Sequence, residues 1–240
     1  MDYEELNYGA MSREQQLAGS LAFPILMRKV YLWMTLALVI TGITSYYVAT
    51  SPALLMAIYS NQMVLWGLIG AELLLVFGVS FAIDKLSLTT ATLMFVLYSV
   101  INGATLSSIF LIYTASSIIS VFFITAGTFG AMALYGYFTK KDLTSWGSIL
   151  FMGLIGIIIA SVVNIFIKSS ALSVVVGYVG VLIFVGLTAY DSQKIKKMML
   201  QAPDASESMQ KLALLGALTL YLDFINLFLH LLRILGSSKN

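Results

Sequence analysis

Apolar residues in this chain fall into seven long runs separated by polar stretches. They cover roughly Lys29–Tyr47, Gln62–Ile83, Leu86–Tyr113, Ser116–Phe138, Trp146–Ile167, Ser173–Asp191 and Leu212–Leu235. At about 1.5 Å rise per residue, each can cross a hydrocarbon core roughly 30 Å thick. A barrel strand needs only about ten residues of alternating polarity, so the runs predict helices. The third run is long enough to tilt or to extend beyond the core, and the Thr114-Ala115 break after it is the weakest boundary. The pattern predicts an all-α, polytopic membrane protein with seven transmembrane helices; six spans plus a re-entrant final segment is the alternative. A polar segment (1–28) precedes the bundle (29–235) and a short tail (236–240) follows it, all within one domain. The stretch Ser192–Lys211, with Pro203 and several charges, is expected to be a mobile loop. Small residues at Gly127-x-x-Gly130, Gly153-x-x-Gly156-x-x-x-Ala160 and Gly177-x-x-Gly180 predict close helix packing.

Composition narrows the function. Hydrophobic residues make up 60% of the chain and charged residues 10%, against about 25% charge in soluble domains. Cysteine is absent, which removes disulfides and thiolate metal sites. A net charge of +2, without any Lys/Arg block, gives no reason to expect nucleic acid as a partner. The polar, acidic first residues are unlike a cleavable signal peptide, so targeting falls to the first membrane helix.

Charge in the connections orients the spans. Arg13, Arg28, Lys29, Lys85, Lys140, Lys141, Lys194, Lys196, Lys197 and Lys211 fall on one side, against only Lys168, Arg233 and Lys239 on the other. That asymmetry predicts a cytoplasmic N-terminus.

Charges inside the spans carry the functional signal, because a carboxylate in hydrocarbon costs several kcal/mol and by default marks an ion or proton path. Asp223 lies in the middle of the last run, and Asp191 ends the run before it. Hydropathy alone sets them at different heights, since Asp223 is roughly 18 Å along a helix that begins at Leu212. Glu72 lies near the middle of the second span, and Arg233 approaches the far surface, where its stem can snorkel. An ion pair between Glu72 and Arg233 would neutralise both, either as packing or as a plug that opens for an ion. Asp223, Asn226, His230 and Arg233 follow at helical spacing and lay a polar stripe along one face. A helix apolar on its other sides belongs in the bundle interior. His230 is expected to be a hydrogen-bonded member of that stripe, since one histidine with scattered acids does not make a transition-metal site.

If Asp191 and Asp223 meet, both cannot stay ionised cheaply, and the pair titrates as a unit. A shared proton holds two helices together; its loss leaves repulsion or a site for a hard cation. Two carboxylates supply at most four oxygens, whereas calcium takes about six to eight. Water must supply the rest, so calcium would bind weakly and exchange fast.

At these residues the chain resembles the Bax inhibitor-1 family of transmembrane BAX inhibitor motif proteins, in its bacterial form. The specific match is Leu220-Tyr221-Leu222-Asp223-Phe224-Ile225-Asn226-Leu227-Phe228, continuing to Leu231-Leu232-Arg233. Weaker pieces are Tyr190-Asp191-Ser192-Gln193-Lys194-Ile195, Arg28-Lys29-Val30-Tyr31, Gly103-Ala104-Thr105-Leu106-Ser107 and Lys140-Lys141-Asp142-Leu143. Together they cover most of the chain. The resemblance implies a seven-helix fold with the last helix central, and a pH-sensitive calcium leak across the membrane. It implies that Asp191 and Asp223 form a hydrogen-bonded pH-sensing pair, and it matches Glu72 and Arg233 to a glutamate and an arginine of the family. In some members an arginine near the cytoplasmic end of span two latches onto the pair. Asp84-Lys85 stands there in this chain, and a latch through Lys85 would lack arginine's two-pronged contact.

The leading expectation is therefore a calcium leak or channel in a lipid bilayer, gated by protons at the carboxylate pair, with no enzymatic activity and no cofactor beyond calcium as a permeant or weakly bound ion. The alternative is a membrane scaffold that modulates other membrane proteins, such as a stress or death-pathway regulator. An intramembrane aspartyl protease would need a Gly-x-Gly-Asp-like motif where Tyr221-Leu222 precede Asp223, and a retinal protein would need a lysine between Leu212 and Arg233. A monomer in a bacterial inner membrane is the expected setting.

Overall fold

A computed structural model describes residues 3–239, with side chains from Ala18 onward; the expected cytoplasmic role of Arg13 lies outside the described side chains. The helices are α1 (Tyr3–Thr50), α2 (Pro52–Tyr59), α3 (Gln62–Ala82), α4 (Leu88–Leu106), α5 (Ile109–Ile112), α6 (Ala115–Phe138), α7 (Thr144–Ile167), α8 (Ser170–Leu200) and α9 (Glu207–Leu235). Seven of the segments so formed are long and apolar enough to span a membrane, α4 and α5 counting as one. The re-entrant alternative for the last segment is thereby set aside.

Short polar residues fix the helix ends. Ser51, Asn61, Ser87, Thr114 and Ser169 each accept a backbone N–H from the first turn of the helix they precede, which satisfies donors that the helix itself cannot. Pro52 takes the first position of α2, where its missing N–H is no loss. Lys168 adopts φ 55° and closes α7, with its N–H on the Asn164 carbonyl.

Two sequence expectations change. The long third run breaks at Ser107-Ser108, where Ser107 Oγ donates to the Ala104 carbonyl and Tyr59 OH accepts the Ser108 N–H. Hydroxyl groups here compete with the helical ladder. The expected mobile loop Ser192–Lys211 is mostly helix: α8 runs on to Leu200 and α9 begins at Glu207. Its polar residues extend two helices past the apolar core, while Ser192, Ile195 and Met199 stay buried against the bundle. Only a short turn remains, in which the Asp204 carboxylate accepts the Ser206 N–H.

The last helix is the axis of the bundle. In its most apolar window 67% of residues are buried, against 6% for α3 and for α7. α8, α1, α6 and α4 pack directly on α9, whereas α3 rests mainly on α4, and α7 on α8. Connections α3–α4, α6–α7 and α8–α9 gather on one face, the basic one. On the opposite face, the C-terminal tail folds back: Thr114 N–H donates to the Ser237 carbonyl and Lys239 N–H to that of Ile112. On the basic face Lys197 Nζ donates to Asp142 Oδ1 at 2.7 Å. That bond, helped by Thr144, holds the exposed Asp142 carboxyl down at about 2. Its contribution is present above the unfolded value near 4 and is lost only as pH falls towards about 2. This tie therefore gives no pH response in the neutral range.

Close approach falls at particular glycines. At Gly136 a Cβ would collide with the Ala189 backbone, and at Gly180 with the His230 ring. Gly127, Gly130 and Gly156, expected from their spacing to be packing positions, instead face open space. Lipid-side glycines keep the same spacing without a helix to meet. Gly136→Ala should therefore lower stability by about 1–3 kcal/mol through overpacking, while Gly127→Ala leaves it unchanged or slightly raised. Thermal unfolding in mild detergent measures both.

Candidate functional site

Extension of α8 and α9 past the apolar core removes the height mismatch between the two acids. Gly216 lies against Ile195, and Gly180 against His230. That antiparallel register sets Asp191 within one turn of Asp223. Their carboxyl groups meet side chain to side chain. Only 8% of Asp191 and 5% of Asp223 is exposed. Asp223 Oδ2 is buried with no hydrogen-bond partner among the described residues. An isolated ionised carboxylate in that position would be severely penalised, so a proton or a cation must compensate it.

Both acids line a cavity of about 960 Å³ bounded by α3, α7, α8 and α9. Leu73, Phe77, Phe151 and Ile158 supply apolar walls, and Ser148, Thr219, Asn226 and His230 supply polar points. Asn226 spends one amide N–H on the Leu222 carbonyl of its own helix. His230 stacks on Phe184 at 5.6 Å between centroids, and its Nδ1 is buried without a partner among the described residues; the hydrogen bond expected of it is not made at that atom. A second cavity, of about 330 Å³, shares Ser161 and Ile165 with the first and is lined by Arg233. The stripe expected on the last helix is thus laid along two adjoining cavities.

Lys194 also lines the main cavity, one turn beyond Asp191, and acts on it electrostatically. Sequence reasoning missed it, although the three-residue spacing from Asp191 was the signal. Lys85 is exposed in the α3–α4 turn and does not line the cavity. Among the described residues, groups of three or more His, Cys, Asp or Glu suited to a metal ion are absent. Asp191 and Asp223 together offer at most four carboxylate oxygens, fewer than the about six to eight that calcium takes.

Glu72 lies elsewhere. It does not pair with Arg233, since Lys197–Asp142 is the ion pair among the described residues. Its carboxylate instead accepts Thr105 Oγ1 at 2.6 Å and Asn102 Nδ2 at 3.3 Å from α4. Asn102 Oδ1 accepts Tyr221 OH at 3.0 Å, and Thr41 Oγ1, 2.7 Å from Tyr221 OH, gives its one proton either to that oxygen, which completes the chain, or to the Ser99 carbonyl at 2.9 Å. A continuous chain of hydrogen bonds therefore joins α3, α4, α9 and α1. Hydroxyl and amide partners on the adjacent helix were nearer than the distant guanidinium, which is why the expected ion pair does not form. Ser99, Asn102 and Thr105 repeat every three residues, the same signal that exposed the stripe on α9. Tyr221 is fully buried between the rings of Phe95 and Tyr98, at 5.8 and 5.7 Å.

Seven apolar helices among the described residues, the central one carrying buried Asp223 against buried Asp191 of its neighbour, define an integral membrane protein of the helical-bundle class. Within that class the chain belongs to the Bax inhibitor-1 family: the family model described as inhibitor of apoptosis-promoting Bax1 matches residues 24–240. It is 54% identical to the inner membrane protein YbhL of Escherichia coli K12, over 89% of this chain and 92% of that protein. It is 48% identical to an uncharacterized protein of Borreliella burgdorferi, over 89% and 92% respectively. A Rickettsia prowazekii protein, RP147, is 45% identical over 89% and 90%.

Tyr221→Phe should destabilise the bundle by roughly 1–2 kcal/mol, because it leaves the buried Asn102 oxygen without its donor. Chemical or thermal unfolding in detergent reads the loss, and an unchanged midpoint would show that the chain of bonds carries no stability.

Proposed function

We propose that the protein is a pH-sensitive calcium leak in a bacterial inner membrane, gated by Asp191 and Asp223. What carries this is the pairing of the two acids, buried together inside a cavity whose polar lining follows the central helix. Family membership fits a membrane channel or leak, and the relative named as an inner membrane protein fits the location.

With one proton shared, the pair is compact and carries a single negative charge. Release of that proton leaves two adjacent carboxylates, which repel unless a cation enters between them. Calcium suits such a site: it tolerates irregular oxygen ligation, and water completes its shell. Weak, exchangeable binding favours passage over storage. Asn226 and His230 offer polar points further along the cavity, and Arg233 lines the adjoining one. Glu72 acts through Asn102 and Tyr221 on the central helix rather than by facing the main cavity. No covalent bond is made or broken, and no cofactor is needed. The excess of lysine on the α6–α7 and α8–α9 face supports a cytoplasmic position for that face and for the N-terminus.

Calcium entry into liposomes containing the purified chain, stepped through pH, tests this. Wild type should show pH-dependent flux; Asp191→Asn and Asp223→Asn should each abolish the pH response and change flux by about tenfold or more, the equivalent of one charge-sized effect of about 1.4 kcal/mol. Unchanged flux with an unchanged pH profile in both variants would eliminate the assignment. No flux from the wild type, together with a stoichiometric membrane-protein partner, would favour a scaffold in its place. A companion pair separates the lysines: Lys194→Gln should move the pH profile, and Lys85→Gln should leave it where it is.

A further inference from the structure

Arg233 sits in the last turn of α9, at the face that also carries the Lys168-Ser169 turn between α7 and α8. Among the described residues no carboxylate pairs with it. Its stem lies along α8 because Gly177 leaves the room: Arg233 Cδ is 3.7 Å from the place where a Cβ would stand. Two cavities, of about 330 and 420 Å³, open beside the side chain, and Ser173 and Arg233 line both. Neither is lined by an acidic side chain.

The hydrogen bonds around Ser173 decide what these cavities offer. Asn164 Oδ1 accepts the Ser169 N–H at 2.9 Å, and Asn164 Nδ2 donates to Ser173 Oγ at 2.7 Å. The amide is thereby fixed in orientation, and Ser173 is held as an acceptor. Its own proton is given to no acceptor among the described residues. Ser170 and Tyr178 add further hydroxyls to the cavity of about 420 Å³. A guanidinium and an oriented hydroxyl, with no acid nearby, form a donor set for an oxyanion. Arginine's planar fork matches phosphate in particular.

We propose that Ser173 and Arg233 bind a phosphate oxyanion, supplied by the headgroup of an anionic phospholipid in the leaflet at this face. Height and surroundings support the lipid as source. Arg233 is within one turn of the helix end, where headgroups lie, and the exposed Val174, Tyr178 and Ile165 surround the cavities with surface for acyl chains. This goes beyond the leak, because binding here needs no ion to pass.

The test uses the full chain in mild detergent, with lipid adducts counted by native mass spectrometry. Phosphatidylglycerol, phosphatidylcholine and inorganic phosphate are added separately to wild type, Arg233→Gln, Arg233→Lys and Ser173→Ala. Phosphatidylglycerol should bind wild type more tightly than phosphatidylcholine, whose choline competes for its own phosphate. Arg233→Gln should weaken phosphatidylglycerol binding about tenfold, with Arg233→Lys restoring part of it. Ser173→Ala should weaken it to a smaller extent, and this variant carries the test if Arg233→Gln does not fold. Inorganic phosphate that displaces the lipid at equal concentration would overturn the lipid as the source. Equal binding of both lipids, indifferent to Arg233→Gln and to Ser173→Ala, would overturn the site.

Discussion

Two acidic side chains buried against each other at the α8–α9 interface constrain the whole bundle. A lone ionised carboxylate in hydrocarbon is too costly to keep, and a second beside it adds repulsion, so the pair must hold a proton or a cation. Meeting that need forces α9 inside, away from lipid, and wraps α8, α1, α6 and α4 around it. It also requires close helix approach, which Gly180 permits beside His230 and Gly136 permits where α6 crosses Ala189. The outer helices α3 and α7 are then left mostly facing lipid, and the space between them and the core becomes the cavity that reaches the acids.

A second polar system touches the same helix from the other side. Tyr221 takes part in the chain of bonds from Glu72, two residues before Asp223, which turns towards α8. One helix thus carries two polar groups that report to different neighbours. The two sites are physically joined without touching.

Much of this was readable from the chain, and the failures have physical reasons. The seven spans and the buried face of α9 follow from hydropathy and from the spacing of Asp223, Asn226 and His230. The meeting of the acids did not follow from depth, because Ser192–Lys211 reads as a loop by its charges; those residues are in fact the ends of two helices that continue past the apolar core. Glu72 was matched to Arg233 by opposite charge, yet Asn102 and Thr105 on the adjacent helix satisfy it, and polarity without charge is a quieter signal. The resemblance points to Lys85, at the place of the family's latch arginine, whereas Lys194 follows Asp191 by three residues on the same helical face and lines the cavity. Gly127 and Gly156 share their spacing with packing glycines, and only the neighbouring helices decide which ones are used.

Infrared difference spectroscopy of the carboxyl C=O stretch, followed through a pH titration, addresses the shared proton most directly. With Glu72→Gln as the background, one carboxyl band beyond those of the eight acids outside the pair should titrate, and its titration should be lost in both Asp191→Asn and Asp223→Asn, because the proton belongs to the pair. Two bands that titrate independently, each removed by only one of the replacements, would mean that the acids do not share a proton, and the account would fail.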